Sequence, residues 1–207
     1  MAFDNDEQQS EYFKDFYNQH KIKIFSAVAI FLLAFFAYQY FLSANQSKTE
    51  EASQLFQEIL VSKVDKIDEI KLKVNRLQNE FGGSPYAARA SVYYSKLLVE
   101  MGDYSSAIEE LKWASSDEIE PSIQSMASYL LGNLYLVQGD FNNALSTANK
   151  ISTQGYIGLA NDLKGDIYMA KGDKENAIKS YQLALNHFGG QGEFHKVVEN
   201  KLNSIDQ

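Results

Sequence analysis

The hydrophobic positions of the chain follow two different patterns. From Ile24 to Leu42 the residues are apolar on every side of a helix and none is charged. From about Ala52 onward, apolar residues recur every three or four positions with polar residues between them, which predicts a series of amphipathic helices. The first pattern is typical of a helix that crosses a membrane, and the second of a helical domain outside it.

The apolar run predicts a single transmembrane helix over residues 23–43, with residues 24–42 in contact with the membrane. A helix over this run is about 28 Å long, which matches the hydrocarbon core of a bilayer. Tyr38 and Tyr40 stand near one end, where aromatic rings with a polar tip suit the headgroup layer. A buried core helix and a cleaved signal peptide remain as alternatives. The long acidic segment before the run disfavours the signal peptide.

Lysine positions predict the orientation of this helix. Lys14, Lys21 and Lys23 precede it, whereas only Lys48 follows it closely. Because basic residues near a span tend to stay in the cytoplasm, residues 1–22 are expected to form a short cytoplasmic segment. Residues 44–207 are then a domain on the far side of the membrane. A domain that faces the cytoplasm stays open as an alternative, because the lysine bias is small.

A repeated motif organises the second part of the chain. Each copy combines a small residue and a large apolar one in a first helix with an alanine in a second helix. The copies are Ser95, Leu98, Ala107 and Leu111; Leu131, Gly132, Tyr135 and Ala144; and Gly165, Tyr168, Ala177 and Tyr181. This arrangement is typical of the tetratricopeptide repeat, a pair of antiparallel helices about 34 residues long.

Turns and small residues support the same register. Gly102-Asp103, Gly139-Asp140 and Gly172-Asp173 each separate two helical stretches. Glycine can adopt the left-handed conformation that ends a helix, and aspartate can cap the next one. We expect Gly132 to face Ala144, and Gly165 to face Ala177, where the paired helices approach closely.

Two further segments flank these repeats. A degenerate first pair and a C-terminal capping helix are predicted from their apolar stripes. The stripes are Ala52, Leu55, Phe56, Ile59 and Leu60; Ile67, Ile70, Val74, Leu77 and Phe81; and Phe194, Val197, Val198, Leu202 and Ile205. The fold class is therefore all-α: an N-terminal transmembrane helix, then a tetratricopeptide-like solenoid of about four helix pairs and a cap.

Composition and candidate chemistry narrow the function. The chain has no cysteine and a net charge of −8, so neither thiolate chemistry nor binding to nucleic acid is expected. His187 and His195 have no further ligands at convincing spacing, and no nucleophile–base arrangement is evident. We expect no catalytic residues, no metal and no cofactor, and hence a protein that is not an enzyme.

The repeat register instead predicts a protein-binding groove. In a stack of helix pairs, the first helix of each pair lines a concave surface. The predicted lining residues are Arg89, Val92, Lys96, Met126, Tyr129, Asn133, Leu136, Asp162, Asp166 and Met169. Their mixture of apolar and charged groups suits a polypeptide ligand, provided that the capping helix does not cover the groove.

The chain resembles the ancillary SecYEG translocon subunit family. The likeness is strongest at Gly155-Tyr156, at Asp162-Leu163-Lys164-Gly165 and at Lys171-Gly172-Asp173-Lys174, with Ala177 after them. The resemblance implies a non-catalytic scaffold or co-chaperone in the inner membrane of Gram-negative bacteria, with its repeat domain in the periplasm. It implies three kinds of partner: the SecYEG translocon, a membrane-anchored, prolyl-isomerase-like periplasmic chaperone, and exported polypeptides. An adaptor for another envelope-assembly complex and a cytoplasm-facing receptor remain alternatives.

Overall fold

The computed structural model describes residues 6–190 and 192–205, and every regular element in these ranges is helical. The α-helices are α1 (Asp6–Val61), α2 (Ile67–Phe81), α3 (Pro85–Glu100), α4 (Tyr104–Ala114), α5 (Pro121–Val137), α6 (Phe141–Lys150), α7 (Ile157–Ala170), α8 (Lys174–His187) and α9 (Glu193–Ile205). Short 3₁₀ turns at Val64–Lys66 and Gln154–Tyr156 precede α2 and α7. The all-α fold expected from the sequence is confirmed.

The chain divides into two compact units, residues 1–50 and residues 51–207. The first unit is helical from Asp6 onward, and its apolar side chains are exposed, as Phe31 at 68% and Leu33 at 71% illustrate. Within the described ranges, α1 is the one helix long and apolar enough to cross a membrane. It does not end near residue 43 but runs to Val61, because neither glycine nor proline interrupts that stretch.

The second unit contains the predicted helix pairs. The end of α1 pairs with α2, and the later pairs are α3 with α4, α5 with α6, and α7 with α8. Helix α9 packs on α8 through Val198 and Ile205, as a capping helix does. Phe194 and Val197, which were predicted on the same stripe, remain 59% and 45% exposed.

The Gly-Asp turns have the predicted geometry. Gly102, Gly139 and Gly172 have φ angles of 82°, 75° and 78°, in the left-handed region that favours glycine. Each following aspartate accepts a hydrogen bond from a backbone N–H of the next helix. At Asp140 the acceptor atom is Oδ1 and the donor is the N–H of Asn143, 3.2 Å away. The Asp140 N–H also donates to the Tyr135 carbonyl oxygen at 2.9 Å, which completes a Schellman motif.

Two other glycines, Gly132 and Gly165, lie where helices approach each other closely, and the contact at Gly165 differs from the predicted one. A Cβ at Gly132 would lie 2.7 Å from Leu163 Cδ2 and 3.6 Å from the Ala144 carbonyl oxygen, so the predicted contact with α6 is confirmed. A Cβ at Gly165 would instead overlap the ring of Tyr181. Gly165 was predicted to face Ala177. The space beside Gly165 is instead filled by the ring of Tyr181, which lies one turn further along α8.

The hydrophobic core of the second unit runs through the stack. Its largest cluster joins the first pair to α3, α4 and α5, and Ile59, Ile70 and Leu77 within it are fully buried. Smaller clusters centre on Leu163 and Ile167, and on Tyr181 and Val198. The degenerate first pair therefore shares a core with the recognisable repeats, although it lacks their motif.

Candidate protein-binding groove

The ten predicted groove residues lie on the first helices of three consecutive pairs. Helix α3 carries Arg89, Val92 and Lys96; α5 carries Met126, Tyr129, Asn133 and Leu136; α7 carries Asp162, Asp166 and Met169. Arg89 and Lys96 are exposed, Asp162 is buried, and the other seven are half-buried. Half-burial is what a helix face needs if it is to support the fold and still contact a ligand.

An apolar cavity of about 260 Å³ lies between α3 and α5. Its walls are mostly aliphatic, and the predicted residues Lys96 and Asn133 line it as well. The aliphatic residues are Val99, Leu111, Leu130, Leu134 and Val137. Val137 is 73% exposed and Leu130 37% exposed, so the cavity opens to solvent. Burying such a surface against an apolar ligand would be favourable by roughly 25 cal/mol per Å².

The two basic residues predicted for the groove, Arg89 and Lys96, are exposed, and Lys96 lines the cavity. The Lys96 ammonium lies 3.8 Å from Glu100, in an exposed pair on the same helix. Hydrogen bonds from Ser122 lower the pKa of Glu120, and the charge of Arg89 adds a smaller effect. These contacts are weak, because exposed ion pairs on a surface contribute little energy.

Tyr129 and Asn133 lie on α5, in the middle of the predicted groove. The Asn133 side-chain amide donates to the Tyr129 carbonyl oxygen at 2.8 Å, one turn earlier on α5. Burial raises the pKa of the Tyr129 phenol, and the charge of Asp162 raises it further. The phenol of α5 therefore lies within electrostatic reach of the carboxylates on α7.

Asp162 and Asp166, two predicted groove residues on α7, form ion pairs with a lysine of the capping helix. Lys201 Nζ lies 2.8 Å from Asp162 Oδ1 and 2.8 Å from Asp166 Oδ2. The Tyr181 hydroxyl donates to Asp166 Oδ1 at 2.7 Å, and the Lys201 ammonium lies 5.7 Å from the centre of that ring. We name Asp162, Asp166, Tyr181 and Lys201 the acidic cluster. Met169 packs against the core cluster that includes α9, so α9 covers this end of the face in part.

Burial and neighbouring charges have opposite effects on the pKa values of Asp162 and Lys201. Burial raises the pKa of Asp162, and it outweighs the hydrogen bond from Lys201. Burial alone would lower the pKa of Lys201, but the hydrogen bonds to both carboxylates raise it above its ordinary value. The lysine is therefore held as a cation, and two carboxylates share its single positive charge.

Sequence reasoning missed Lys201, Tyr181 and the aliphatic walls of the cavity as parts of this face. Two signals could have indicated them. Val99 precedes the predicted residue Leu136 by 37 positions, the same interval that separates Lys96 from Asn133, so it holds the equivalent place on α3. Lys201 follows Asp166 by 35 residues, about one repeat length, which places it on α9, where the first helix of a further pair would lie.

Comparison with known proteins agrees with this geometry. A family model described as a tetratricopeptide repeat-like domain matches residues 14–207. A protein of Neisseria gonorrhoeae named "Ancillary SecYEG translocon subunit" is 24% identical over 208 residues, which cover 99% of this chain and 100% of that protein. The resemblance inferred from the sequence is confirmed by this relative. With its helix pairs, its Gly-Asp turns and a family match over most of its length, the chain belongs to the tetratricopeptide repeat-like domain family.

Proposed function

We propose that this chain is a membrane-anchored, non-catalytic subunit of the Sec translocon that binds proteins through the concave face of its repeats. In this role it helps to pass newly exported polypeptides from the channel to chaperones of the periplasm. Its partners are the SecYEG translocon, exported chains and a membrane-anchored, prolyl-isomerase-like chaperone.

The apolar cavity between α3 and α5 is the observation that carries this proposal. It combines exposed aliphatic side chains with Lys96 and Asn133 on the first helices of adjacent repeats. An unfolded or partly folded chain displays apolar side chains and free backbone groups, and such a surface can accept both. A shallow, mixed surface of this kind favours varied polypeptides over one small molecule.

The proposed location rests on the N-terminal helix. Residues 23–43 serve as the anchor, residues 1–22 as a cytoplasmic segment and residues 44–207 as the periplasmic domain. The length and composition of α1 support a single membrane crossing. The lysines before the apolar run support a cytoplasmic N-terminus. The name of the Neisseria relative supports association with the translocon.

Site-specific photo-crosslinking in cells tests the binding role. A photoreactive residue placed at Leu130 or Val137 lies in the cavity wall, and one placed at Leu183 is an exposed control on α8. We expect the two cavity positions to capture translocon subunits, periplasmic chaperones or exported chains, and the control to capture far fewer. Equal labelling from all three positions, or capture of another envelope-assembly complex alone, would contradict the proposal.

Protease protection tests the location independently. Spheroplasts with an intact inner membrane are treated with protease, and residues 44–207 are followed with an antibody. We expect the domain to be digested, because it faces the periplasm. Survival of the domain until the membrane is opened would place it in the cytoplasm and support the receptor alternative.

A further inference from the structure

A second cavity, of about 390 Å³, lies outside the predicted groove and is polar rather than apolar. It is lined by α4 and α6, the second helices of two consecutive pairs, and by α5 between them. The groups that could contact a ligand there belong to Lys112, Ser128, Tyr135, Asn143, Thr147 and Lys150. Cavities of roughly 300–1,000 Å³ are the usual size for binding a small molecule.

Two buried hydroxyl groups open into this polar cavity. Ser128 is 2% exposed and Thr147 is 9% exposed. Neither hydroxyl has a hydrogen-bond partner among the described residues, and neither oxygen is fully enclosed by protein. By contrast Ser125, one turn earlier on α5, donates to Thr153 Oγ1 at 2.7 Å. The hydroxyls of Ser128 and Thr147 therefore need partners from whatever fills the cavity, either water or a ligand.

The charges around the polar cavity largely offset one another. Lys112 and Lys150 stand in the last turns of α4 and α6, where the free carbonyl groups of a helix carry partial negative charge. Lys112 also pairs with Glu109 at 2.9 Å. The Asp117 carboxylate lines the same cavity. This balance favours a neutral ligand over a phosphate or a carboxylate.

The lining groups also favour a ligand that carries several hydroxyl groups. A hydroxyl both donates and accepts, so ligand hydroxyls can pair with Ser128 and Thr147 in either direction. A phosphate only accepts, and it would leave the acceptor capacity of these groups unused. Leu131 and the half-buried Tyr135 add an apolar surface, against which the C–H groups of a ring can pack.

We propose that the polar cavity is a binding site for a neutral sugar. Ser128 and Thr147 pair with hydroxyls of the sugar, its ring packs on Tyr135, and the lysines donate to its oxygen atoms. Helix α5 lines both cavities through different residues, with Leu130 and Val137 in the apolar one. A sugar and a polypeptide therefore need not compete, and this site goes beyond the proposed function.

Saturation-transfer NMR on the full chain tests the site. The detergent is lauryldimethylamine oxide, because maltoside detergents would compete as sugars. The ligands are methyl β-glucoside and methyl N-acetyl-β-glucosaminide, with methyl phosphate as the anionic control. We expect transfer to the ring protons of at least one sugar, with a dissociation constant of about 1–10 mM. Transfer to neither sugar would mean that the cavity holds only water, and stronger transfer to methyl phosphate would mean an anion site. Either result would overturn the proposal.

Variants of the two hydroxyls locate the bound sugar. Thr147→Val keeps the shape of the side chain and Ser128→Ala shortens it, and each removes one hydrogen-bonding group. Each should weaken sugar binding at least about threefold. Ser105→Ala removes an exposed hydroxyl of α4 outside the cavity, so it is the matched control and should leave binding unchanged.

Thermal unfolding checks that each variant is folded, and each hydroxyl variant tests the site without the other. Wild-type affinity in either folded variant would contradict the assignment. These results are independent of photo-crosslinking from Leu130 and Val137, which reports on the apolar cavity. The sugar site can therefore fail while the proposed function stands, and the reverse also holds.

Discussion

The first helix pair and the three that follow reach the same packing by different means. In the later pairs, a glycine with positive φ and a capping aspartate fix each turn, and glycine or another small residue allows close contact. The first pair has a 3₁₀ turn at Val64–Lys66 without glycine. Ion pairs join its helices, such as Lys73 with Glu58 at 2.9 Å, above a core that contains Ile59 and Ile70.

The comparison of these pairs indicates which features a helical repeat needs. A recognisable motif specifies the turn and the closest contacts, but the stack requires only a continuous apolar face. The first pair satisfies that requirement, since its buried residues belong to the same cluster as those of α3 and α5. Loss of its core should therefore affect the whole stack, whereas loss of its surface contacts should not.

Leu77→Ala tests this expectation and should have the largest effect. Leu77 is fully buried in the shared cluster, so truncation removes apolar contact and leaves a cavity that costs about 2–5 kcal/mol. Thermal or urea unfolding followed by circular dichroism measures the loss. Leu72→Ala is the control, because Leu72 lies on the same helix and is 71% exposed. If both variants unfolded alike, the first pair would not be part of the cooperative core.

Gly165→Ala tests the closest contact in the last recognisable repeat. The added methyl group would overlap the ring of Tyr181, whose hydroxyl group donates a hydrogen bond to Asp166. We expect a loss of about 1–3 kcal/mol as the ring is displaced. Gly155→Ala is the matched control, since nothing lies within 4 Å of its added Cβ. Unchanged stability of Gly165→Ala would mean that α7 and α8 can separate at little cost.

Asp140→Ala tests the turn chemistry that the first pair lacks. The carboxylate caps α6 through the Asn143 N–H, and its loss should cost about 1 kcal/mol. Asn142→Ala, an exposed neighbour on α6, is the control for the local change. Unfolding in urea measures both, and a cost no larger than that of Asn142→Ala would show that the cap is dispensable.

Much of this fold could be predicted from the sequence because short stretches of sequence specify its turns and its buried positions. The Gly139-Asp140 turn is specified by two adjacent residues, and Leu77 by its place on an apolar stripe. The continuation of α1 to Val61 was not predicted, because no residue between the membrane run and Ala52 forces either a break or a continuation. Such a boundary depends on what surrounds the helix.

The groove shows a similar division. The repeat register predicted that the groove residues lie on the first helices of consecutive pairs. In the structure all ten of them lie on α3, α5 and α7. The contact of Lys201 with Asp162 and the cavity between α3 and α5 depend on the packing of separate helices. No single stretch of sequence contains that information. That these residues bind a partner stays a prediction.

Arg76→Met should have the smallest effect, well below that of Asp140→Ala. Arg76 pairs with Glu51 across the first helix pair and with Glu80 one turn away at 3.0 Å, and all three side chains are about half exposed. Water and salt screen such pairs, and methionine retains part of the apolar stem of arginine, while it loses the guanidinium group that lies 6.0 Å from the centre of the Phe81 ring. The small difference from wild type should diminish between 0.05 and 0.5 M NaCl, in unfolding experiments at both salt concentrations. A large, salt-independent loss would mean that ion pairs, rather than the shared core, hold the first pair in the stack.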